Sequence, residues 1–373
     1  MNFLIVTHVL HAKKASNYFA YAPYVKEMNL WLKHVDSVTI VAPLLASKEI
    51  SPIDIAYEHD QLEFKQIPAF NLLNIVASIK TLFVLPIIFF KIVAAMRKAD
   101  HIHLRCPGNI GLVGCVAQIF FPSKTKTAKY AGNWDPKSKQ PMTYRWQKKI
   151  LSNTFLTKNM NVLVYGDWKA QTKNIKSFFT ASYQNSDKKE VSLRRLEGTI
   201  KFSFVGSLSP GKRPLLSIQI VEALRKHGHQ VRLDMYGDGV LRSELETYLE
   251  KNQLATYIKL HGNVTAAIIK EVHQNTHFML LPSKSEGWPK VVAEAMFWGS
   301  LPIVTNISCV PFMLDSGNRG ILIAPNVASA VTSIETVLNS PKKYEEMAEK
   351  AINWSRNYTL DTFESEIKKL LQQ

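Results

Sequence analysis

The chain has 373 residues, of which 46% are hydrophobic and 20% charged, and carries a formal net charge of +16. That length exceeds one ordinary core and suits two domains, and the composition excludes a disordered or fibrous chain. Three cysteines, Cys106, Cys115 and Cys309, show no metal-ligand spacing, which argues against a disulfide framework or structural zinc and for a reducing compartment.

From the first residue, Met1-Asn2-Phe3-Leu4-Ile5-Val6-Thr7 enters a strand-like run without a basic leader, so the expected location is cytoplasmic. Further β-rich runs at 36–42, 100–104, 126–131 and 160–165 alternate with helical spacing at 22–34, 72–98, 109–121 and 142–155. Within the second helical stretch, the apolar run Leu82 to Phe90 lies between Lys80 and Lys91 and contains Pro86. It falls far short of the roughly 20 residues that cross a bilayer and reads as a buried or interfacial helix. The second half repeats the plan, with strands near 200–205, 230–236, 257–261, 277–281, 301–304 and 321–323 and helices near 213–227, 240–251, 265–274 and 289–299. The tail from Pro341 reads as one or two helices. Alternation of this kind predicts an α/β fold of two Rossmann-like, doubly wound domains facing a central cleft. The boundaries read as residues 1–184, a polar linker at 185–198, a second domain at 199–352 and a terminal helix at 353–373 that returns to the first domain.

Charge is divided unequally. Before Gly198 there are 27 Lys and Arg against 13 Asp and Glu, and from there on 19 against 17, so the halves carry +14 and +2. Between Lys124 and Lys149 eight basic residues accompany the single acid Asp135. This one-sided excess suits an anionic membrane surface or a phosphate-bearing substrate, with a solvated face as the plainer reading. No nucleic-acid-binding signature accompanies it, so nucleic acid is not an expected partner.

In open α/β sheets ligands sit at the carboxyl ends of strands, so residues just after strands carry the functional signal. After the first strand of the second domain comes Gly206-Ser207-Leu208-Ser209-Pro210-Gly211-Lys212-Arg213-Pro214, where a flexible turn presents two adjacent cations beside a helix start. This turn suits a diphosphate, and is equally an ordinary basic strand-to-helix turn. Gly237-Asp238-Gly239 lies at the next strand end and reads first as a tight turn. The most informative stretch is Pro282-Ser283-Lys284-Ser285-Glu286-Gly287-Trp288-Pro289, followed by the helix-like Lys290 to Gly299. Pro289 fits a first helical turn, so amides from Gly287 and Trp288 onward, through Lys290 and Val291, would surround the positive end of a helix. Glu294 falls among Val291, Val292, Ala295 and Met296 and needs a partner; a sugar or ribose diol would serve, as would a capped or solvated position.

Together these motifs resemble the retaining nucleotide-sugar glycosyltransferases of family 4, which have the GT-B fold. The resemblance rests on Glu286 and Glu294 within Ser-Glu-Gly-Trp-Pro-Lys-Val-Val-Ala-Glu-Ala-Met, on the Val205-Gly206-x-Leu208-Ser209-Pro210-x-Lys212 run, on Gly237-Asp238-Gly239 and Gly262, and on Gly299-Ser300-Leu301-Pro302-Ile303-Val304. It covers essentially all of residues 200–325. It implies a hexosyl-type transferase that takes a nucleoside-diphosphate sugar, needs no cofactor or metal and works with retention; the paired glutamates taken with the basic first half make a polysaccharide or envelope-glycan precursor, lipid-linked, the expected acceptor. By the same resemblance Lys212 neutralises the donor diphosphate, Glu286 contacts the transferred sugar, Glu294 holds the ribose, Asn263 and Val264 lie near the base, and backbone from Gly287 to Val291 supports sugar and phosphate. Family members usually carry an Arg where this chain has Ser207, which makes Arg213 the candidate for the second phosphate-binding charge. Their active-site histidine is replaced here by the stretch Tyr130 to Asp135.

The first half follows the family only in outline, and Arg105, Asn133 and Trp134 are its acceptor-side candidates, Arg105 being equally suited to a structural ion pair. Two other readings of the whole chain stay open: a sugar-nucleotide epimerase, and a non-catalytic partner that only binds a sugar nucleotide. The basic half together with the apolar 82–90 run predicts peripheral, salt-sensitive attachment to the inner face of the cell membrane.

Overall fold

The computed structural model describes residues 1–45, 50–51, 53–69, 75–169 and 171–372, with side chains from residue 84 onward in the helix that begins at 75. Contacts divide the chain into one unit of Met1–Phe179 with Phe363–Gln373, and a second of Thr180–Thr362.

In chain order the first unit contains β1 (Asn2–Val6), β2 (Ala12–Lys14), β3 (Asn17–Tyr21), α1 (Ala22–Leu32), β4 (Ser37–Pro43), β5 (Asp54–Ala56), β6 (Leu62–Ile67) and α2 (Ile75–Lys98). It continues through β7 (His101–Cys106), α3 (Asn109–Ala117), β8 (Thr125–Tyr130), α4 (Met142–Leu151), β9 (Met160–Tyr165) and β10 (Ile175–Phe178). Seven strands form a parallel sheet in the order β10-β9-β8-β7-β1-β4-β6. Phe3, Leu4, Ile5 and Val6 are all fully buried, as expected of a central strand whose two faces are both covered by helices. A small antiparallel sheet, β2-β3-β5, stands apart.

The second unit runs through β11 (Ile200–Val205), α5 (Pro214–Lys226), β12 (Val231–Tyr236), α6 (Arg242–Lys251), β13 (Ile258–Gly262), α7 (Ala266–Asn275), β14 (Phe278–Leu281) and α8 (Lys290–Phe297). There follow β15 (Leu301–Thr305), α9 (Val310–Met313), β16 (Ile321–Ile323), α10 (Val327–Leu338) and α11 (Pro341–Ser355). Its sheet is parallel throughout, in the order β13-β12-β11-β14-β15-β16. The segment expected to be a linker belongs to this unit: Asn185 donates its amide to Asp361, and the Lys189 carbonyl accepts from Arg356. A last helix, α12 (Leu360–Leu371), joins the first unit from Phe363 onward.

Both main sheets have the same winding. Each begins at a central strand, steps outward twice, and then crosses to the other side, the arrangement of dinucleotide-binding folds. The reversal falls between β1 and β7 in the first unit and between β11 and β14 in the second. Among the described residues no helix is long and apolar enough to cross a membrane.

Half of the basic stretch is internal. Lys126 and Lys129 are fully buried and donate to the carbonyls of Phe121 and Phe179, while Lys124 and Lys148 donate to Ala99 and to Trp134 and Asp135. Burial lowers the Lys126 ammonium to a pKa of about 8. Lys129 sits over the rings of Tyr165, Phe178 and Phe363 at 4.6, 4.3 and 5.7 Å, a cation–π cage that ties α12 to β8 and β10. The exposed remainder is Lys137, Lys139, Arg145 and Lys149. Because Phe363 is buried and packs its ring on Phe178 and Phe179 as well, Phe363→Ala should cost about 3–5 kcal/mol of unfolding free energy in urea titrations. A loss below about 1 kcal/mol would show that α12 is not anchored through this ring.

Candidate functional site

The chain leaves β11 and β14 in opposite senses, so the loops that follow them, residues 206–213 and 282–289, flank the crevice at the sheet's switch point. Three contacts tie these loops together. The Lys284 amide donates to the Gly211 carbonyl at 2.8 Å, Arg213 reaches the carbonyls of Pro282 and Ser283 at 3.4 Å each, and Lys212 Nζ meets Glu286 Oε1 at 2.6 Å. The two carried-over catalytic candidates are thus in direct contact. Glu286 is buried, with 8% of its side chain exposed, whereas Lys212 keeps 29%.

The Glu286 loop is fixed by the end of β15 and the segment that follows it. The Glu286 amide donates to Ser308 Oγ, Thr305 donates its hydroxyl to the Ser283 carbonyl, and Cys309 donates its thiol to the Gly287 carbonyl. Burial first, and the Glu286 charge second, push the Cys309 thiol well above its usual range, so it serves as a neutral donor and not as a nucleophile. None of Thr305, Ser308 or Cys309 was singled out from sequence. Their only signal was position, at or just after the end of a strand that neighbours β14.

Close backbone approach builds the rest of the rim. Gly206 donates to the Tyr236 carbonyl and Gly237 to that of Gly262, so the ends of β11, β12 and β13 are laced in a row. A Cβ on Gly237, at φ +130°, would lie 2.0 Å from the Gly206 carbonyl oxygen, and one on Gly239 would lie 2.6 Å from that of Leu208. The Gly-Asp-Gly turn therefore does more than reverse the chain: it supports the Gly206 loop, with the Leu208 amide bonded to the Asp238 carbonyl. Asn263 and Val264 follow on the same rim, exposed and half-buried respectively. Arg213, just before Pro214 at the start of α5, has left-handed backbone at φ +51°, ψ +52°. That conformation costs a non-glycine residue about 1–2 kcal/mol, an outlier of the kind that clusters at binding sites.

Helix α8 begins beside the Glu286 loop with Pro289 as its N-cap and the Val292 amide turned back to the Pro289 carbonyl. Its positive end therefore adjoins Gly287, Lys290 and Val291. Trp288 points elsewhere: it is buried and stacks on Trp354 at 6.0 Å, with Tyr358 at 5.5 Å. Glu294 lies one turn into α8 and has the partner that the sequence could not name, the hydroxyl of Ser182. Thr180, Tyr183, Phe297 and Tyr358 line the small cavity around it. Burial raises the Glu294 pKa above the ordinary value, with the Ser182 hydrogen bond and Lys290 pulling the other way. Ser182 stands three residues ahead of the segment read as a polar linker, at the end of the stretch assigned to the first domain, which hid its role.

Of the first-unit candidates, Arg105 pairs with the buried Glu27 at 3.0 Å and lies over the Tyr24 ring. Burial disfavours its charge, yet Glu27 and the phenols of Tyr165 and Tyr24 hold the guanidinium pKa above normal. The Trp134 ring is buried, edge-on to Tyr130 with Lys148 above it, and Asn133 caps its own loop by accepting from the Asp135 amide. At this sheet's reversal His8 packs on Gly108, whose amide donates to Gln147. Among the described residues no cluster of three His, Cys, Asp or Glu side chains is arranged to hold a metal.

The raised Glu294 pKa has a fixed sign in stability. The folded state holds the proton more tightly, so stability is greatest below the unfolded-state glutamate pKa and falls as pH rises through the folded value. Glu294→Gln keeps an acceptor for Ser182 and removes the charge. It should match the parent near pH 4 and exceed it in urea midpoint at pH 7.5; an unchanged difference across that range would contradict the burial of the charge.

Residues 185–354 match the family model described as Glycosyl transferases group 1. The chain is 24% identical over 149 residues to the alpha-D-kanosaminyltransferase of Streptomyces kanamyceticus, covering 40% of this chain and 39% of that protein. It is 28% identical over 136 residues to the putative colanic acid biosynthesis glycosyltransferase WcaL of Salmonella typhimurium, covering 35% and 33%. The match therefore spans well under half the length of these relatives. Among solved structures, Anabaena HepE in complex with UDP and glucose superposes with a TM-score of 0.68 at 15% identity, covering 100% of this chain and 99% of HepE. The lipopolysaccharide outer core galactosyltransferase WaaB superposes at 0.70 with 12% identity, covering 100% and 99%. Residues 185–354 thus form a glycosyltransferase group 1 domain in a chain of GT-B architecture.

Proposed function

We propose that the chain transfers a sugar from a nucleoside-diphosphate sugar to an envelope-glycan or polysaccharide precursor, lipid-linked, with retention of configuration and without a metal. The observation that carries this reading is the Lys212–Glu286 contact at the switch point, beside the start of α8. An arriving diphosphate would take Lys212 as its counter-ion, with Arg213 and the helix end adding positive potential. That exchange releases the Glu286 carboxylate toward the sugar, where positive charge develops as the glycosidic bond to phosphate lengthens. Glu294 would hold the ribose diol by exchanging the Ser182 hydroxyl for those of the ligand, and Asn263 and Val264 would flank the base.

Support for the donor class comes from the group 1 domain and from neighbours of the same fold solved with UDP. Support for an envelope acceptor comes from the names of WcaL and WaaB and from the basic first half. The same reading puts the enzyme on the inner face of the membrane as a peripheral protein.

The test is a panel of UDP-sugars incubated with lipid-linked and free acceptors, read by product formation and by the anomeric coupling in the product. The parent should transfer with the donor's configuration kept, and Glu286→Gln should lose about 10²–10³-fold in kcat while remaining folded. Epimerised donor without transfer, or an unimpaired Glu286→Gln enzyme, would overturn the reading.

A further inference from the structure

Helices α2, α3 and α4 of the first unit enclose an open groove of about 640 Å³. Leu85, Phe89 and Phe90 of α2, Val116 of α3 and Trp146 and Ile150 of α4 are on its lining, where the polar residues are Lys149 and Asn153. Around it the apolar surface continues outward. Ile87, Phe90, Phe120, Trp146 and Phe155 are 52%, 67%, 66%, 54% and 75% exposed. Large apolar side chains concentrated on one face in this way mark an interaction surface.

The surrounding charge selects the partner. From Ile75 to Met160 the sequence has 14 Lys and Arg and only two acids, Asp100 and Asp135. Some of these cations are consumed internally, as Lys124, Lys126, Lys129 and Lys148 are, but Lys91, Arg145, Lys149 and Lys158 stay exposed, and Lys158 lies 5.3 Å from the Phe155 ring. Exposed aromatic side chains bordered by lysine and arginine fit a bilayer interface, with rings at headgroup depth and cations on lipid phosphate.

We propose that the α2–α3–α4 face is the surface by which this protein docks on anionic phospholipid, with acyl chains entering the groove and Trp146 and Phe90 inserted beside it. The inference rests on the peripheral-membrane part of the reading above and names the residues that would perform it. An amphipathic contact of this type has two separable components: an electrostatic one that salt screens within a Debye length of about 8–10 Å, and an apolar one that salt leaves in place.

The experiment is flotation of the full-length protein with vesicles of phosphatidylcholine alone and of phosphatidylcholine mixed with phosphatidylglycerol. Binding should require the anionic lipid, weaken with salt, and fall at least ~tenfold in partition coefficient for Phe90→Ser/Trp146→Ser, whose UDP-induced thermal shift should equal the parent's. Quenching of tryptophan fluorescence by brominated acyl chains, diminished in Trp146→Phe, reports insertion without relying on a disruptive variant. Absence of flotation at low salt, parental flotation of the double variant, or quenching unaffected in Trp146→Phe overturns the proposal. So does a parental dimer that the double variant splits without any change in vesicle binding, which would assign the face to a second copy. The thermal shift separates the two readings: vesicle binding without any nucleotide response would sink the transferase reading alone, and the converse would sink the docking surface alone.

Discussion

The 2.6 Å contact between Lys212 and Glu286 organises the second unit's candidate site. Removing one partner of a largely buried pair leaves an uncompensated charge, and such pairs contribute less to net stability than well-packed apolar residues of similar volume. Their presence at the reversal of a sheet is therefore better explained by ligand chemistry than by folding. The surrounding structure is arranged to hold both groups in place without a ligand: Ser308, Thr305 and Cys309 fix the backbone of the Glu286 loop, and the Gly237 turn supports the loop that leads to Lys212. A charge pair held this way is preorganised, so on the proposed reading little reorganisation would be needed for a diphosphate to replace one member.

The same winding in both units carries different chemistry. At the second reversal the strand ends are glycine-rich, which lets backbone approach a ligand. At the first, β1 leads without glycine into His8, and Arg105 is already committed to Glu27. The first unit is distinguished instead by its surface, where an apolar groove is bordered by exposed cations.

How much of this was legible in the sequence depended on burial. Strands covered on both faces, such as Phe278–Leu281 and Phe3–Val6, are continuous apolar runs and were read within a residue or two. Strands β6 and β10 sit at sheet edges with alternating, partly polar residues, and β2, β3 and β5 are three to five residues long, so their pattern was too weak to find. Helix α10, Val-Ala-Ser-Ala-Val-Thr-Ser-Ile-Glu-Thr-Val-Leu, is not among the predicted elements; half of its residues are β-branched, which weakens a helical signal, although its buried face of Ala330, Val331, Ile334 and Val337 has clear helical spacing. At the site, acids and cations after strands were visible because their residue types are chemically conspicuous. The serines, the threonine and the cysteine that hold them were not, since a hydroxyl or thiol becomes informative only once its partner is known. Charge was the poorest guide, because four of the eight cations between Lys124 and Lys149 donate to backbone carbonyls of the first unit.

The central claim is that a donor diphosphate competes with Glu286 for Lys212. Calorimetric titration of UDP into the parent, Lys212→Met and Glu286→Gln proteins tests it most directly. Lys212→Met should bind at least ~tenfold more weakly, the loss expected when a charge-assisted hydrogen bond to phosphate is removed, whereas Glu286→Gln should bind as tightly as the parent or more tightly. Equal weakening in both variants would contradict the account, because Glu286 would then be supporting the diphosphate site and not yielding to it.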